Sequence, residues 1–338
     1  MKVYLHSDFQ KQIKQSGVGR ALVHQQQALD AVGVPYTLKD TGDWDVLHIN
    51  TIFPASYALA KKARRQGKAV VYHAHSTAED FRNSFRFSNV AAPFFKKWLK
   101  ACYETADLIL TPTAYSKDLL ENYGLTPPIA AISNGIDLSE WQATAYEKQK
   151  FRDFYGLAAG DPLVISVGLQ IKRKGILEFV KMARELPDVN FIWFGYTNPK
   201  LLDSQMKQAV ATRLPNLRFA GYVDKDVMRV AYQAADLYVF PTHEETEGIV
   251  LLEALASRIP TLVRDLPVFS EYENGKHLYK FSTFADFQTK IIQMLNCQLP
   301  DLTAQGYAKV SEKSIENIGK QLKNHYEHAL ELARQRKI

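Results

Sequence analysis

Short apolar runs recur along this chain, and between them apolar positions return every three or four residues. Alternation of strand-like and helix-like segments is the signature of parallel βαβ units. In the first half the runs are Val3–His6, Tyr36–Leu38, Val46–Ile49, Ala69–His73, Leu108–Leu110 and Ile129–Ile132. The second half has Leu163–Val167, Asn190–Phe194, Leu217–Phe219, Leu237–Phe240 and Thr261–Val263. Amphipathic stretches such as Ala21–Ala31, Lys117–Asn122, Ile176–Arg184 and Val250–Ala256 read as intervening helices. Several runs are apolar throughout, as expected of strands covered by helices on both faces. The turn signal Ser133-Asn134-Gly135-Ile136-Asp137, followed by irregular polar sequence, marks a boundary. The expected domains are residues 1–137 and 138–315. From about Ser314 no strand pattern remains, so 316–338 is expected to be a long helix returning to the first domain.

Composition narrows this picture. A length of 338 residues fits two α/β domains of ordinary size, and 46% hydrophobic content excludes wholesale disorder. No stretch approaches the roughly 20 apolar residues that span a bilayer. The start, Met1-Lys2-Val3-Tyr4-Leu5-His6, reads as a first buried strand and not as a signal peptide. Cys102 and Cys297 lack metal-ligand spacing, which predicts a cytoplasmic protein with reduced thiols. The net charge of +6 and pI near 9.0 favour anionic partners without choosing among nucleotides, nucleic acid and acidic headgroups.

Open α/β sheets bind ligands outside the carboxyl ends of their strands, and three loops there carry chemistry. Pro241-Thr242-His243-Glu244-Glu245-Thr246-Glu247-Gly248 follows one apolar run and opens a helix. Glu245 lies in the loop and Glu253 about a turn into the helix; Gly248 permits close backbone approach, and a helix N-terminus favours phosphate. Glu253 would then hold a ribose diol and Glu245 would face a sugar. A solvated acidic loop is the equally weighted alternative. The second loop, Gly168-Leu169-Gln170-Ile171-Lys172-Arg173-Lys174-Gly175, places three cations beside a glycine as a pyrophosphate clamp. The third, Gln15-Ser16-Gly17-Val18-Gly19-Arg20, offers backbone amides at Gly17 and Gly19. It is no dinucleotide fingerprint, because Leu22 occupies the third-glycine position.

Tyr72-His73-Ala74-His75 ends a buried run, and alternation puts His73 and His75 on one side, where either can position a sugar or an acceptor hydroxyl. Asp43-Trp44-Asp45 lies at the other end of its strand and reads as a turn. Within Phe94–Cys102, Phe94, Phe95, Trp98, Leu99 and Cys102 fall in one helical arc of about 140°, opposite Lys96, Lys97 and Lys100. That division suits a helix lying on an anionic membrane, with Arg82 and Arg86 nearby. An apolar face packed on its own sheet is the generic alternative.

Four features occur in matching order: Glu245-x7-Glu253 after a Pro-Thr strand end, the Gly168…Lys174-Gly175 loop, the Asn134-Gly135-Ile136-Asp137 crossing and the Gly17/Gly19 loop. Together they resemble the family-4 retaining glycosyltransferases of GT-B fold, over nearly the whole chain. Ser16-Gly17-Val18-Gly19-Arg20-Ala21 and Tyr72-His73-Ala74-His75-Ser76-Thr77-Ala78-Glu79-Asp80-Phe81 are similar to a narrower group. Its members are Gram-positive glycolipid synthases that add a second hexose to monoglucosyl-diacylglycerol, making lipoteichoic-acid anchor lipids. The resemblance implies two Rossmann-like domains facing each other across a cleft. It implies a UDP-glucose or UDP-galactose donor, with Glu253 on ribose, Glu245 on the hexose, and Arg173 and Lys174 on the pyrophosphate. It also implies a first-domain histidine, His73 or His75, on the sugar. Two positions depart from the family pattern: Leu169 stands where many members carry arginine, and Glu247 where a small or aromatic residue is common.

The expected protein is therefore a peripheral membrane hexosyltransferase at the inner face of the cell membrane, with a glycolipid acceptor and no tightly held metal or other cofactor. A related reading makes the acceptor a capsular or wall polysaccharide precursor. A non-catalytic basic protein for nucleotides or nucleic acid would need interleaved aromatic and basic residues, which the chain lacks, so no nucleic-acid partner is expected. An NAD-dependent oxidoreductase is disfavoured by the missing glycine.

Overall fold

The computed structural model describes residues 1–9, 16–82, 84 and 88–336. In chain order the first part runs β1 (Val3–His6), α1 (Gly17–Ala31), β2 (Tyr36–Thr37), β3 (Val46–Ile49), α2 (Pro54–Arg65) and β4 (Ala69–His73). It continues with α3 (Ala78–Phe81), α4 (Ser88–Tyr103), β5 (Leu108–Thr111), α5 (Ala114–Glu121) and β6 (Ile129–Ala131). Next come α6 (Ala145–Phe154), β7 (Leu163–Val167), α7 (Ile176–Glu185), β8 (Asn190–Phe194), α8 (Ser204–Ala211) and β9 (Leu217–Gly221). The remainder is α9 (Lys225–Ala234), β10 (Leu237–Phe240), α10 (Ile249–Ala256), β11 (Thr261–Arg264), β12 (Tyr279–Phe281), α11 (Phe284–Leu295), α12 (Thr303–Ser311) and α13 (Ile315–Gln335).

Two units result, each built on a six-stranded parallel sheet. The first comprises Met1–Phe81, Val90–Ile136 and Lys313–Ile338; the second comprises Arg82–Asn89 and Asp137–Glu312. In the first sheet the order is β2-β1-β3-β4-β5-β6, so the crossover direction reverses between β1 and β3. Its strands are apolar on both sides because both faces are covered. Val3, Leu5, Val46, Val71 and Leu108 pack with α1 and α13, while Tyr4, Leu47, Val70, Tyr72 and Ile109 face the other layer with Leu99 and Cys102.

Helix α13 is part of this first core. Ile315, Ile318, Leu322, Tyr326, Ala329 and Ala333 are all buried, which is the i, i+3, i+7 stripe of an amphipathic helix. Gly319 sits against α1, where a Cβ would collide with the Ala28 carbonyl oxygen. The Asn134-Gly135 turn serves the same docking. Gly135 has φ +78, and a Cβ there would lie 3.1 Å from Ile318 Cγ1. The next residue, Ile136, pairs with Ser314.

The second sheet has the order β12-β11-β10-β7-β8-β9, with its reversal between β7 and β10. Reversal opens a crevice at the carboxyl ends of those two strands. Both strands are followed by the motif loops of the sequence.

Candidate functional site

In the second unit, the β7 loop ends in a short 3-10 turn at Lys172–Lys174, and Gly175 takes φ +81 to enter α7. A Cβ on Gly175 would collide with the Pro241 carbonyl, so the close approach of this loop to the end of β10 requires glycine. Backbone bonds complete the junction: the His243 amide donates to the Arg173 carbonyl at 2.7 Å.

This junction brings together Arg173, Lys174 and Glu245. Lys174 Nζ pairs with Glu245 Oε1, and Arg173 Nη1 lies 3.8 Å from Oε2. Thr242 Oγ1 donates to Glu245 Oε1 at 2.8 Å, and Arg173 also donates to the Glu244 carbonyl at 2.6 Å and to Ser84 Oγ at 3.0 Å. Burial pushes the Glu245 carboxyl up, but Lys174 and then Arg173 outweigh it and hold it below the usual carboxylate range. Buried charges persist only when paired, so these three groups form one electrostatic unit.

Glu253 lies on α10, whose sequence IVLLEALA is otherwise apolar. The helix is buried nearly all round, and Glu253 is fully buried; Tyr232 Oη donates to its Oε2 at 3.2 Å. Gly248, at the start of α10, has φ +83, and a Cβ there would meet Phe240 Cε1 at 2.8 Å. Glu247 is buried as well.

Three neighbouring strands of this sheet end alike. Gly168, Gly195 and Gly221 close β7, β8 and β9, and each precedes an exposed large side chain: Leu169, Tyr196 and Tyr222. The Gly195 amide donates to the Gly221 carbonyl at 2.7 Å, and a Cβ on Gly195 would strike the Gly168 carbonyl. Sequence reasoning passed over Tyr196 and Tyr222; the repeated glycine-plus-apolar pair after a strand was the available signal.

In the first unit, His73 is the last residue of β4 and is buried; His75 lies two positions on and is half-buried. Their rings stack at 4.2 Å and 3°, so they share one side. His48 of β3, which the sequence did not single out, stacks parallel to His73 with centroids 5.3 Å apart. His75 Nε2 donates to Asn50 Oδ1 at 2.8 Å, and Asn50 and Gln25 exchange two amide bonds of 2.8 and 2.9 Å. Burial lowers all three imidazoles, His48 and His75 to about 3, so each is neutral at physiological pH. Nε2 of His73 is buried and has no hydrogen-bond partner among the described residues.

Two expectations change in physical detail. Gly17 and Gly19 are not in an open loop: they form the first turn of α1, capped by Ser16, whose Oγ accepts from the Gly19 amide at 3.3 Å. Gln15 lies outside the described residues. The apolar arc of α4 is also divided. Leu99 and Cys102 are buried, Phe95 and Trp98 pack against the core, and Trp98 Nε1 donates to the Ile52 carbonyl at 2.6 Å. Lys96 is half-buried over the Tyr123 ring, and Lys100 is half-buried too. The exposed residues of α4 are Asn89, Val90, Ala91, Pro93, Phe94 and Lys97, of which Val90, Phe94 and Lys97 fall at i, i+4 and i+7. Arg82 is exposed, and Arg86 lies outside the described residues. Asp43 and Asp45 face Lys2 at the other end of the sheet, Asp45 accepting from its amide at 2.8 Å. Among the described residues no helix is long and apolar enough to cross a membrane.

Residues 25–140 match the profile of glycosyltransferase family 4, and residues 147–316 that of glycosyl transferases group 1. Over 336 residues the chain is 40% identical to a processive diacylglycerol alpha-glucosyltransferase of Acholeplasma laidlawii, covering 99% of this chain and 100% of that one. An alpha-galactosylglucosyldiacylglycerol synthase of Streptococcus pneumoniae is 26% identical over 69% of this chain and 63% of its own. Among solved structures, Anabaena HepE in complex with UDP and glucose superposes with a TM-score of 0.78 at 16% identity, covering 96% of this chain and 99% of that one. Sucrose-phosphate synthase of Thermosynechococcus elongatus gives 0.79 at 16%, over 97% and 98%. At such identities the likeness to these two is one of fold.

Proposed function

Because this chain belongs to the family-4 glycosyltransferases, we propose that it moves a hexose, with retention, from a UDP-sugar to a diacylglycerol-based lipid at a membrane surface. The observation that carries the donor half is the buried pairing of Lys174 and Arg173 with Glu245 where the second sheet reverses. A diphosphate arriving there takes over the two cations, and Glu245, freed of part of that load, accepts hydrogen bonds from the hexose hydroxyls. Glu253 holds the ribose diol, Gly248 lets the start of α10 approach a phosphate, and Leu169, Tyr196 and Tyr222 offer an apolar shelf for the base.

As transfer proceeds, the bond from the anomeric carbon to the diphosphate breaks and a bond from the acceptor oxygen forms on the same face. The acceptor's proton leaves with the departing diphosphate. Arg173, Lys174 and backbone dipoles offset the charge that develops. Within the first unit we assign a sugar contact to His73, with His75 stacked beside it, and a preference for phosphate to the α1 N-terminus at Gly17 and Gly19. Residues 1–137 would serve acceptor and membrane, 138–315 the donor, and 316–338 would tie the last helix to the first unit. Peripheral binding on the inner membrane face would use Val90, Phe94 and Lys97 with help from Lys96 and Lys100.

Diacylglycerol as acceptor class is supported by the names of the relatives quoted above, and glucose as donor hexose by the first of them. The test is incubation with UDP-glucose or UDP-galactose and vesicles holding diacylglycerol or its monoglucoside, with products read by mass spectrometry. Hexosylated lipid from UDP-glucose is the expected result. Arg173→Ala with Lys174→Ala should cut the rate at least about 100-fold, as loss of charge stabilisation does elsewhere. No lipid product from either donor, or undiminished turnover in the double variant, overturns the proposal.

A further inference from the structure

The histidine row of the first unit ends on the C-terminal helix. Tyr326 Oη of α13 lies 2.6 Å from His48 Nδ1, and His48 Nε2 lies 3.2 Å from His73 Nδ1. Gln25 Nε2 also approaches His73 Nδ1, at 3.2 Å. An amide nitrogen can only donate, so His73 Nδ1 accepts and the ring's proton sits on Nε2. His48 must then donate from Nε2 and accept at Nδ1, and the acceptance comes from the Tyr326 hydroxyl.

The reverse direction is the competing arrangement. Turning over both the Gln25 and Asn50 amides would place the proton of His73 on Nδ1, and His48 would donate to Tyr326. The buried tyrosine hydrogen would then have no acceptor among the described residues, and His73 Nε2 would still lack a partner. The first direction leaves one buried donor unmet; the second leaves a donor and an acceptor unmet. Each unmet group forfeits its hydration, so the first is favoured.

We infer that Tyr326 and His48 are positioning residues that lock His73 in its Nε2-protonated form, presenting a single N–H donor at the end of β4. The inference rests on the reading of His73 as a sugar contact, and it assigns a function to a residue some 250 positions away in the chain, on a helix outside the sheet. The ring stays neutral because burial, reinforced by His75, His48 and His325, disfavours its charged form. His73 is therefore a hydrogen-bond donor and not an acid. The orphaned Nε2–H is met only when a ligand oxygen arrives.

The experiment is nitrogen-15 NMR of histidine-labelled full-length protein, with long-range proton couplings assigning the His73 tautomer, beside transfer kinetics. Wild type should show His73 protonated on Nε2 from pH 6 to 8. Tyr326→Phe should mix the tautomers and lower kcat roughly tenfold, the lower end of what loss of an outer partner costs a metal-ligating histidine. UDP affinity, which the proposed function assigns mainly to Arg173, Lys174 and Glu253, should stay within about twofold. His48→Gln, which keeps an amide donor facing His73, should retain more activity than His48→Leu. A wild-type ring protonated on Nδ1, or Tyr326→Phe with tautomer and kcat both unchanged, overturns the relay. Should Tyr326→Phe fail to fold, the His48 pair decides: equal activity in His48→Gln and His48→Leu has the same force. Unchanged kcat in His73→Ala would instead overturn the sugar contact, leaving the tautomer result standing.

Discussion

Individual residues show how far charge and chemistry were readable before folding. Spacing after an apolar run marks Glu245 and Glu253 as candidates. Spacing does not reveal that Glu245 is held by Lys174 and Arg173, because that contact joins residues 71 and 72 apart. His48 stayed hidden because it lies inside an apolar strand, where a histidine looks like a core residue until its partners are known. The buried imidazoles have a consequence for acid stability. A histidine whose folded pKa lies below its unfolded value keeps full stability above the unfolded value near 6.5 and loses it as pH falls toward the folded one, here about 3 for His48. Each such histidine costs about 1.4 kcal/mol per pH unit across that window. Glu245, whose folded pKa is also lowered, opposes nothing there; its own loss begins below the ordinary carboxylate value of about 4.3. Chemical denaturation between pH 7 and 5 should therefore show falling stability, and His48→Gln should flatten the slope by about one proton. An identical slope in that variant would contradict a neutral, buried His48.

At the scale of elements, periodicity located the longer strands because both faces of each are covered and the apolar runs are unbroken. Strand β12, three residues reading Tyr-Lys-Phe, carries no such pattern and emerges only through its pairing with β11. Helix α4 teaches the complementary lesson. Its apolar arc was legible, but an arc does not say whether protein or lipid will cover it, and here the sheet takes most of it. Vesicle sedimentation separates what remains. Val90→Asp with Phe94→Glu should reduce binding to anionic vesicles at least about tenfold without lowering the melting temperature, since both side chains are exposed. Equal sedimentation would remove α4 from the membrane contact. The seam of α13 against α1 admits no extra atom at Gly319. Gly319→Val should destabilise the protein by about 2 kcal/mol or more, despite the better helix propensity of valine, as overpacking does. A denaturation midpoint like wild type would contradict that close approach.

For the whole molecule, the two-domain reading was accessible from length and alternation, and the returning helix from the absence of strands after Ser314. The strand orders, and so the reversal points that locate the chemistry, were not, because parallel pairing is decided by long-range contacts that leave no local mark. One consequence is that residues 1–137 are not a self-sufficient piece. Leu29, Val71 and Leu110 would expose the face that α13 covers. Expressed alone, 1–137 should be aggregated or molten, and fusing it through a flexible linker to residues 313–336 should restore a cooperative unfolding transition. A well-folded 1–137 fragment would show the helix to be an accessory.

The same arrangement sets an order of events at the ribosome. The first sheet's strands are synthesised early, but the helix that seals one of its faces is translated only after the whole second unit. The second unit, contained almost wholly within one continuous stretch, has all its sequence before then and can finish first. Until that helix has left the ribosome, an apolar face of the nascent N-terminal half stays uncovered, so this half should depend on chaperone holding throughout synthesis of the second unit.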